Sequence, residues 1–294
     1  MREIPKVSII IPAFNCEKYI SSAISSALNQ TYPNIEVVVV DDHSSDETVS
    51  VINEIKSNKI VFIKLEKNFG ASNAKNVGFK SSSGDYIAFL DSDDLYSTNK
   101  IEEQMNIFKN SNKQNLGYVY CGIEIINEEG KHLMNSTPTG KAWDGIINED
   151  FIGASALIKR KCFEEAGMFD LKLKYFEDMD LYLRIKLCGY EYDFSKKALY
   201  IYRQHRMNVS KNRKLVIDNI DRYFEKYLSL PKFKKNKKIL SQYYMNKGVV
   251  LSTISPLEAL HFVFLSFILN PFVVIRRIHK LLKGYLTLIT KKLN

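Results

Sequence analysis

Four short apolar runs, each closed by polar residues, set the rhythm of the first hundred positions. Lys6-Val7-Ser8-Ile9-Ile10-Ile11-Pro12 is β-branched and stopped by proline, the form of a buried parallel strand. Ile35 to Val40, Ile60 to Leu65 and Tyr86 to Leu90 predict three more strands. Helical patterns lie between them. Ile20, Ala23, Ile24, Ala27 and Leu28 recur at the spacing of one helix face. Ser44 with Glu47 fits a capping box for a second helix, with Asp46 and Glu47 suited to its positive end. Asn68-Phe69-Gly70 turns into a third, through Ala71, Ala74 and Val77. Strands alternating with helices imply βαβ units and a mostly parallel sheet.

The texture changes in the middle of the chain. Gly117 to Cys121 and Ile123 to Ile126 predict strands, followed by the turn Asn127-Glu128-Glu129-Gly130. A short helix is expected from Lys159 to Ala166, stopped by Gly167. Tyr175-Phe176-Glu177-Asp178 precedes a helix carrying Leu181, Ile185 and Cys188 on one face. Strands are expected at Tyr190–Phe194 and Ala198–Arg203. Residues 1–211 read as one α/β domain and residues 212–294 as a helical basic tail.

Charge sharpens that division. The net charge is +9, but Pro231 to Asn294 holds 12 Lys and Arg against one acid, Glu258. The first 230 residues hold 30 basic and 32 acidic side chains. The basic character belongs to the tail, and its expected partner is an anionic membrane surface, not nucleic acid. Along Pro271 to Lys292, Val274, Ile278, Leu281, Leu282, Tyr285 and Ile289 fall on one side, with Arg276, Arg277, Lys280 and Lys283 on the other. That pattern fits a helix lying in a membrane interface, or equally a hairpin packed on the body with a solvated basic face. Leu257–Leu269 is very apolar, but Glu258, His261, Asn270 and Pro271 weigh against a spanning helix. The chain opens Met1-Arg2-Glu3-Ile4-Pro5 without a cleavable signal pattern, and its four cysteines form no C-x-x-C pair. A cytoplasmic protein with reduced, packing cysteines is expected.

The densest chemistry is at Tyr86-Ile87-Ala88-Phe89-Leu90-Asp91-Ser92-Asp93-Asp94, where an apolar run ends in three carboxylates within four positions. Gathering them costs electrostatic energy unless a cation offsets it. Hard divalent cations take oxygen ligands, Mg2+ commonly with substrate phosphates. A solvated turn leading into a helix is the other reading. Three polar clusters, Pro12–Asn15, Asp41–Asp42 and Asp91–Asp94, sit at predicted strand carboxyl ends, where ligands bind in open α/β sheets.

Five segments in order carry a family likeness: Val7-Ser8-Ile9-Ile10-Ile11-Pro12-Ala13-Phe14-Asn15, Val40-Asp41-Asp42-His43-Ser44-Ser45-Asp46, Asn68-Phe69-Gly70-Ala71-Ser72-Asn73-Ala74-Lys75-Asn76, Leu90-Asp91-Ser92-Asp93-Asp94 and Phe176-Glu177-Asp178-Met179-Asp180. Together they resemble family 2 glycosyltransferases of the GT-A fold. The resemblance implies a Rossmann-like, mostly parallel sheet with helices on both faces. Residues 1–94 would bind a nucleotide-sugar, most often UDP-linked, and residues 95–211 the acceptor. Asp42 matches the carboxylate that contacts the base, a fit for the N3–H of uracil; a helix-entry turn is its alternative role. Pro12, Ala13 and Phe14 would lie along the uracil or ribose, or simply pack. Asp91 and Asp93 match the D-x-D pair, with Ser92 between them beside the donor. Asp93 is expected to touch Mg2+ or Mn2+ directly, and Asp91 to bind ribose or the metal through water. Asp94 is expected to cap the following helix.

Lys75 lies where the family usually has a basic residue facing donor phosphate, though an exposed helix lysine fits equally. Asp178 matches the catalytic base, Glu177 would orient the acceptor, and Asp180 would be structural. His205 matches a histidine that touches metal or diphosphate; a hydrogen-bonded surface histidine is its alternative. The Q-x-x-R-W motif of processive synthases is absent and the one tryptophan is Trp143, which favours single-sugar addition. The resemblance thus implies an inverting transferase moving one sugar onto a glycan acceptor, plausibly undecaprenyl-diphosphate-linked. Its setting would be O-antigen or capsule synthesis on the inner face of the cell membrane. Two other readings compete: a non-catalytic nucleotide-sugar-binding module at the membrane, and a sugar nucleotidyltransferase. The second lacks the expected glycine-rich N-terminal loop, since the first glycine is Gly70.

Overall fold

A computed structural model describes residues 4–139 and 153–279. Trp143 and positions 280–292 of the expected terminal helix lie outside the described residues. The described residues fall into two compact units, 4–139 with 153–208, and 209–279.

In the first unit, β1 (Val7–Ala13) and β2 (Ile35–Asp41) are buried at every position, which is why both read as unbroken apolar runs. They pair in parallel from Val7 opposite Ile35 to Ala13 opposite Asp41. β3 (Ile60–Lys64) adds in parallel to β2, and β4 (Tyr86–Phe89) in parallel to β1. The order β3-β2-β1-β4 therefore sets the chain after Ala13, Asp41 and Phe89 at one edge. The connecting helices are α1 (Ile20–Leu28), α2 (Thr48–Glu54) and α3 (Ala71–Lys80). On α1, Ile20, Ala23, Ile24 and Ala27 are buried and Leu28 packs at the margin of the same core.

The capping box before α2 does not form. Glu47 takes the N-cap position without a side-chain cap, and the Ser44 hydroxyl instead accepts from the Asn15 N–H. Asp46 accepts from both the N–H and the hydroxyl of Thr48, and that local pair takes the place of the box.

The rest of this unit runs β5 (Leu95–Tyr96), α4 (Lys100–Asn110), β6 (Leu116–Ile126), β7 (His132–Ser136), a 3-10 turn (Gly153–Ser155), β8 (Leu157–Lys159), α5 (Arg160–Glu165), α6 (Glu177–Leu187) and β9 (Glu191–Arg203). Its strands complete a mixed sheet in the order β3-β2-β1-β4-β8-β6-β9-β5, with β7 on β6. β8 enters antiparallel between β4 and β6. Three predicted features change here. The two strands expected at 117–126 are one, β6, and the two expected at 190–203 are one, β9. Their parallel pairing slips around Gly122, where a side chain would press on the Lys197 and Ser136 carbonyls. The expected helix at Lys159 begins instead at Arg160, because Lys159 still belongs to β8.

The second unit contains α7 (Arg213–Leu228), α8 (Lys237–Leu251), α9 (Pro256–Leu269) and a helical stretch at 271–279. Asn212 and Asn236 cap α7 and α8 through their side-chain oxygens. Ser241 of α8 and Ser266 of α9 join by a buried pair of hydroxyls. Among the described residues no helix is long and apolar enough to cross a membrane.

Candidate active site

The polar ends of β1, β2 and β4 each have a distinct local structure. Pro12 and Ala13 are buried in β1, and the Ala13 carbonyl accepts from the Asp42 N–H at 2.7 Å. Phe14 follows with its ring half exposed at the edge. Asp41 accepts from the Ser44 N–H and shapes the turn after β2. Asp42 is buried, and its two oxygens accept from the Phe69 and Gly70 N–H groups at 2.8 and 2.7 Å. Its carboxylate thus ties the end of β2 to the start of α3. Gly70 takes φ +93° there, a conformation that excludes most side chains.

Beyond β4, the three acids separate in role. Asp94 does not cap a helix, since Asn99 holds the N-cap position of α4. Asp94 is buried and accepts from the Tyr200 hydroxyl at 2.6 Å and the Arg203 N–H at 2.8 Å. Arg203 also donates through Nε to the Asp93 carbonyl and through a terminal nitrogen to the Glu128 carbonyl. The acidic loop is thereby stapled to the end of β9. His205 follows two residues later, and its Nε2 lies 2.8 Å from Asp93 Oδ2. The Met207 N–H lies 3.2 Å from His205 Nδ1, which leaves Nε2 as the ring nitrogen facing Asp93. Tyr19 stacks on the imidazole at 5.2 Å. Burial, and next the charge of Asp91, push the Asp93 carboxyl above the usual range. Ser92, half-buried, lies beside the Cys16 thiol.

Asp91, whose charge also acts on Asp93, pairs with Lys75. On α3, Ser72, Lys75 and Asn76 share one face. Ser72 donates to the Leu173 carbonyl, and Asn76 exchanges two hydrogen bonds with the Phe169 backbone. These bonds set α3 against the segment leading into α6. Lys75 is accordingly a buried ammonium, not an exposed helix lysine. It lies 3.5 Å from Asp91, 3.4 Å from Glu177 and 3.8 Å from Asp178, and rests 5.2 Å above the Phe169 ring. Burial works against its charge, but Asp178, Asp91 and Glu177 outweigh it and hold the pKa above the ordinary lysine value. Residues of the third, fourth and fifth motifs therefore meet at one cation.

Asp178 stands in the first turn of α6, after Phe176 in a left-handed conformation at φ +68°. An aromatic residue held there stores backbone strain beside the carboxylates. The Asp178 side chain keeps 27% of its surface open. Burial pushes its carboxyl up to about 7 against the pull of Lys75, and Glu177 and Asp91 add to the rise. Gly153 backs it so closely that a Cβ would lie 2.3 Å from Asp178 Cβ. The Tyr182 hydroxyl holds the Gly153 carbonyl at 3.0 Å, and Gln104 donates to the Ser155 carbonyl at 2.8 Å. Asp180 is buried and pairs with Arg184, which reaches the Ala166 and Met168 carbonyls.

Sequence reasoning places Gly153-Ala154-Ser155 in the segment that shapes the pocket, but misses Tyr182, Tyr200 and Arg203 in these positions. Arg203 lay next to the noted His205, but nothing local announced its partner 109 residues away.

Asp91, Asp93 and His205 offer two carboxylates and one imidazole, a donor set suited to Mg2+ or Mn2+. Among the described residues no group of three or more His, Cys, Asp and Glu is arranged to hold a metal alone. The raised Asp93 carboxyl beside a second acid is a state that a cation would relieve, so these residues fit an ion that completes its shell with substrate oxygens.

Known proteins resemble this chain in sequence and in fold. An uncharacterized glycosyltransferase of Rickettsia typhi is 37% identical over 188 residues, covering 61% of this chain and 58% of that protein. This chain therefore spans less than two thirds of that relative's length. The Escherichia coli UDP-Glc:alpha-D-GlcNAc-diphosphoundecaprenol beta-1,3-glucosyltransferase WfaP is 34% identical over 209 residues, 70% of this chain and 80% of that one. Among solved structures, S. aureus TarS in complex with UDP-GlcNAc superposes with a TM-score of 0.67 at 20% identity, covering 89% of this chain and 79% of that one. The Pyrobaculum calidifontis mannosyltransferase PcManGT, in complex with GDP-Man and Mn2+, gives 0.65 at 18% identity over 98% and 84%. These two likenesses establish the GT-A fold. The profile described as Glycosyl transferase family 2 matches residues 8–167, from β1 to the turn after α5. Matched over more than half its length, and carrying its acids where that fold places strand ends, the chain belongs to glycosyl transferase family 2.

Proposed function

We propose that this protein is a metal-dependent, inverting glycosyltransferase that moves a single sugar from a UDP-sugar to a lipid-linked glycan. The observation that carries the reading is the meeting of Asp91, Glu177 and Asp178 at Lys75, which joins a donor-type loop to an acceptor-side carboxylate. Residues 1–94 hold the donor and residues 95–211 the acceptor. Phe14, with Pro12 and Ala13 behind it, offers apolar area to the base, while Asp42 both shapes the adjoining turn and presents an acceptor edge. Asp93, Asp91 and His205 would hold Mg2+ or Mn2+, which when bound offsets the negative charge developing on the departing diphosphate. Lys75 fixes Asp91 and Asp178 relative to one another. Glu177 orients the acceptor.

Asp178 accepts the proton of the acceptor hydroxyl as its oxygen bonds to the anomeric carbon. The bond from that carbon to the UDP oxygen breaks on the opposite face, its electron pair leaves with UDP, and the configuration inverts. The E. coli relatives, whose names specify UDP-Glc and a diphosphoundecaprenol acceptor, make that pair the first to try. By the same analogy the product is a repeat unit of a surface polysaccharide, O antigen or capsule, made at the inner face of the membrane. The basic tail, residues 212–294, holds the protein at that anionic surface.

The test is UDP release with a UDP-sugar panel, Mn2+ and a diphosphoundecaprenol-linked acceptor, on the wild type and Asp178→Asn. Transfer by the wild type, and its loss by at least about 10²-fold in a variant that still binds UDP, supports the reading. Donor binding without UDP formation for any acceptor would favour a binding module.

A further inference from the structure

The second unit carries an apolar surface that transfer chemistry does not use. Only Ala259 and Ser266 of the fourteen residues of α9 are buried. Leu257, Leu260, Phe264, Phe267 and Ile268 are exposed, Leu257 by 82%, at the spacing of one helix face. Phe272, Ile275 and Ile278 are exposed as well, along 271–279. Monomeric soluble proteins rarely leave so long an apolar stripe bare.

Beside the stripe, a groove of about 500 Å³ lies along the close α8–α9 contact at Gly248, lined by Met245, Val249, Leu260, Val263 and Ile278, with Ser252 its polar member. Leu260 and Ile278 belong to both the groove and the exposed face, so the two are continuous. Volumes of about 300–1,000 Å³ hold ligands of drug size.

Charge identifies the occupant. Lys232, Lys234, Lys235, Lys237 and Lys238 cluster at the start of α8. The Ser241–Ser266 pair and the bond from Ser241 to the Asn270 carbonyl bring that end of α8 to the end of α9, where Arg276 and Arg277 follow. A second copy would set cations against cations, whereas an anionic headgroup meets them with opposite charge. We infer that the α8–α9 groove takes one hydrocarbon chain of an anionic phospholipid, whose phosphate is held by the lysine cluster. This deepens the membrane reading of the tail: the contact is a lipid-chain site on α8 and α9, in addition to interfacial adsorption of the terminal helix.

The test uses the full chain with vesicles of phosphatidylglycerol and phosphatidylcholine, one lipid bearing a photoactivatable group on its acyl chain. Wild type is expected to sediment with anionic vesicles at least tenfold more than with pure phosphatidylcholine. Crosslinks are expected at Met245, Val249 or Val263. Leu260→Glu, at an exposed lip, should reduce binding at least tenfold, and Lys232→Gln with Lys234→Gln and Lys237→Gln should abolish the anionic preference. UDP-sugar hydrolysis should be unchanged in both variants, which separates failure here from failure of the transferase reading. Crosslinks confined to Phe264 and Phe272, or unaltered binding by Leu260→Glu, would overturn the groove. So would a dimer that Leu260→Glu dissolves without vesicle binding, or binding that emerges only after removal of residues 280–294.

Discussion

A methyl group on Gly153 would lie 2.3 Å from the Cβ of Asp178 and 2.5 Å from its Oδ2, so the absence of a side chain at one position fixes the placement of the carboxylate at the other. Gly153→Ala is expected to displace Asp178. A misplacement near 1 Å costs transfer about 10²-fold, with donor affinity unchanged. Turnover and UDP titration on the same preparation check this, and full turnover would remove Gly153 as the seat of Asp178. Tyr182→Phe frees the Gly153 carbonyl and should give a smaller loss in the same direction.

On the proposed reading, acid should slow sugar transfer through Asp178. Its carboxyl is raised to about 7, so the base form is lost as pH falls through that value and turnover drops about tenfold per unit below it. Lys75 holds the value down and Glu177 holds it up. Lys75→Met is therefore expected to move the acid limb to higher pH, and Glu177→Gln to lower pH. Opposite shifts in kcat against pH are the signature; shifts of the same sign would contradict the arrangement.

Asp42 accepts two backbone N–H bonds while buried, and an amide at that position has only one oxygen to offer. Asp42→Asn should lower stability by about 2 kcal/mol, read from urea unfolding, and weaken UDP binding together with it. A stable variant with intact donor affinity would show that neither role matters.

Chelation should abolish UDP binding and added Mn2+ should restore it. Asp93→Ala should be insensitive to Mn2+ altogether. Unchanged metal-dependent UDP affinity in that variant, measured by titration calorimetry, would take Asp93 out of the metal site.

Much of the first unit could be read directly because its parallel strands are buried on both faces. β1 and β2 have no exposed position, so continuous apolar sequence was sufficient. β8 was not legible: three residues carry no periodicity. The sequence predicts strands on either side of Ser195-Lys196-Lys197, whereas β9 runs on through that segment with a register slip. The acids of the site were visible as motifs, but their division of labour was not. Asp94 resembled a cap until Tyr200 and Arg203, far along the chain, came to meet it. Lys75 reads from sequence either as a phosphate-facing cation or as an exposed helix lysine, because its three anionic neighbours come from two other segments.

The staple made by Asp94 has a bearing on how nucleotides are told apart. On the proposed reading, Asp94 bonded to both Tyr200 and Arg203 would hold the donor cradle in shape before a ligand arrives. A donor entering such a cradle loses little affinity to ordering the chain. Selectivity among nucleotides would then rest on steric and hydrogen-bond match, and a poorly matched one would be rejected at first encounter instead of being accommodated.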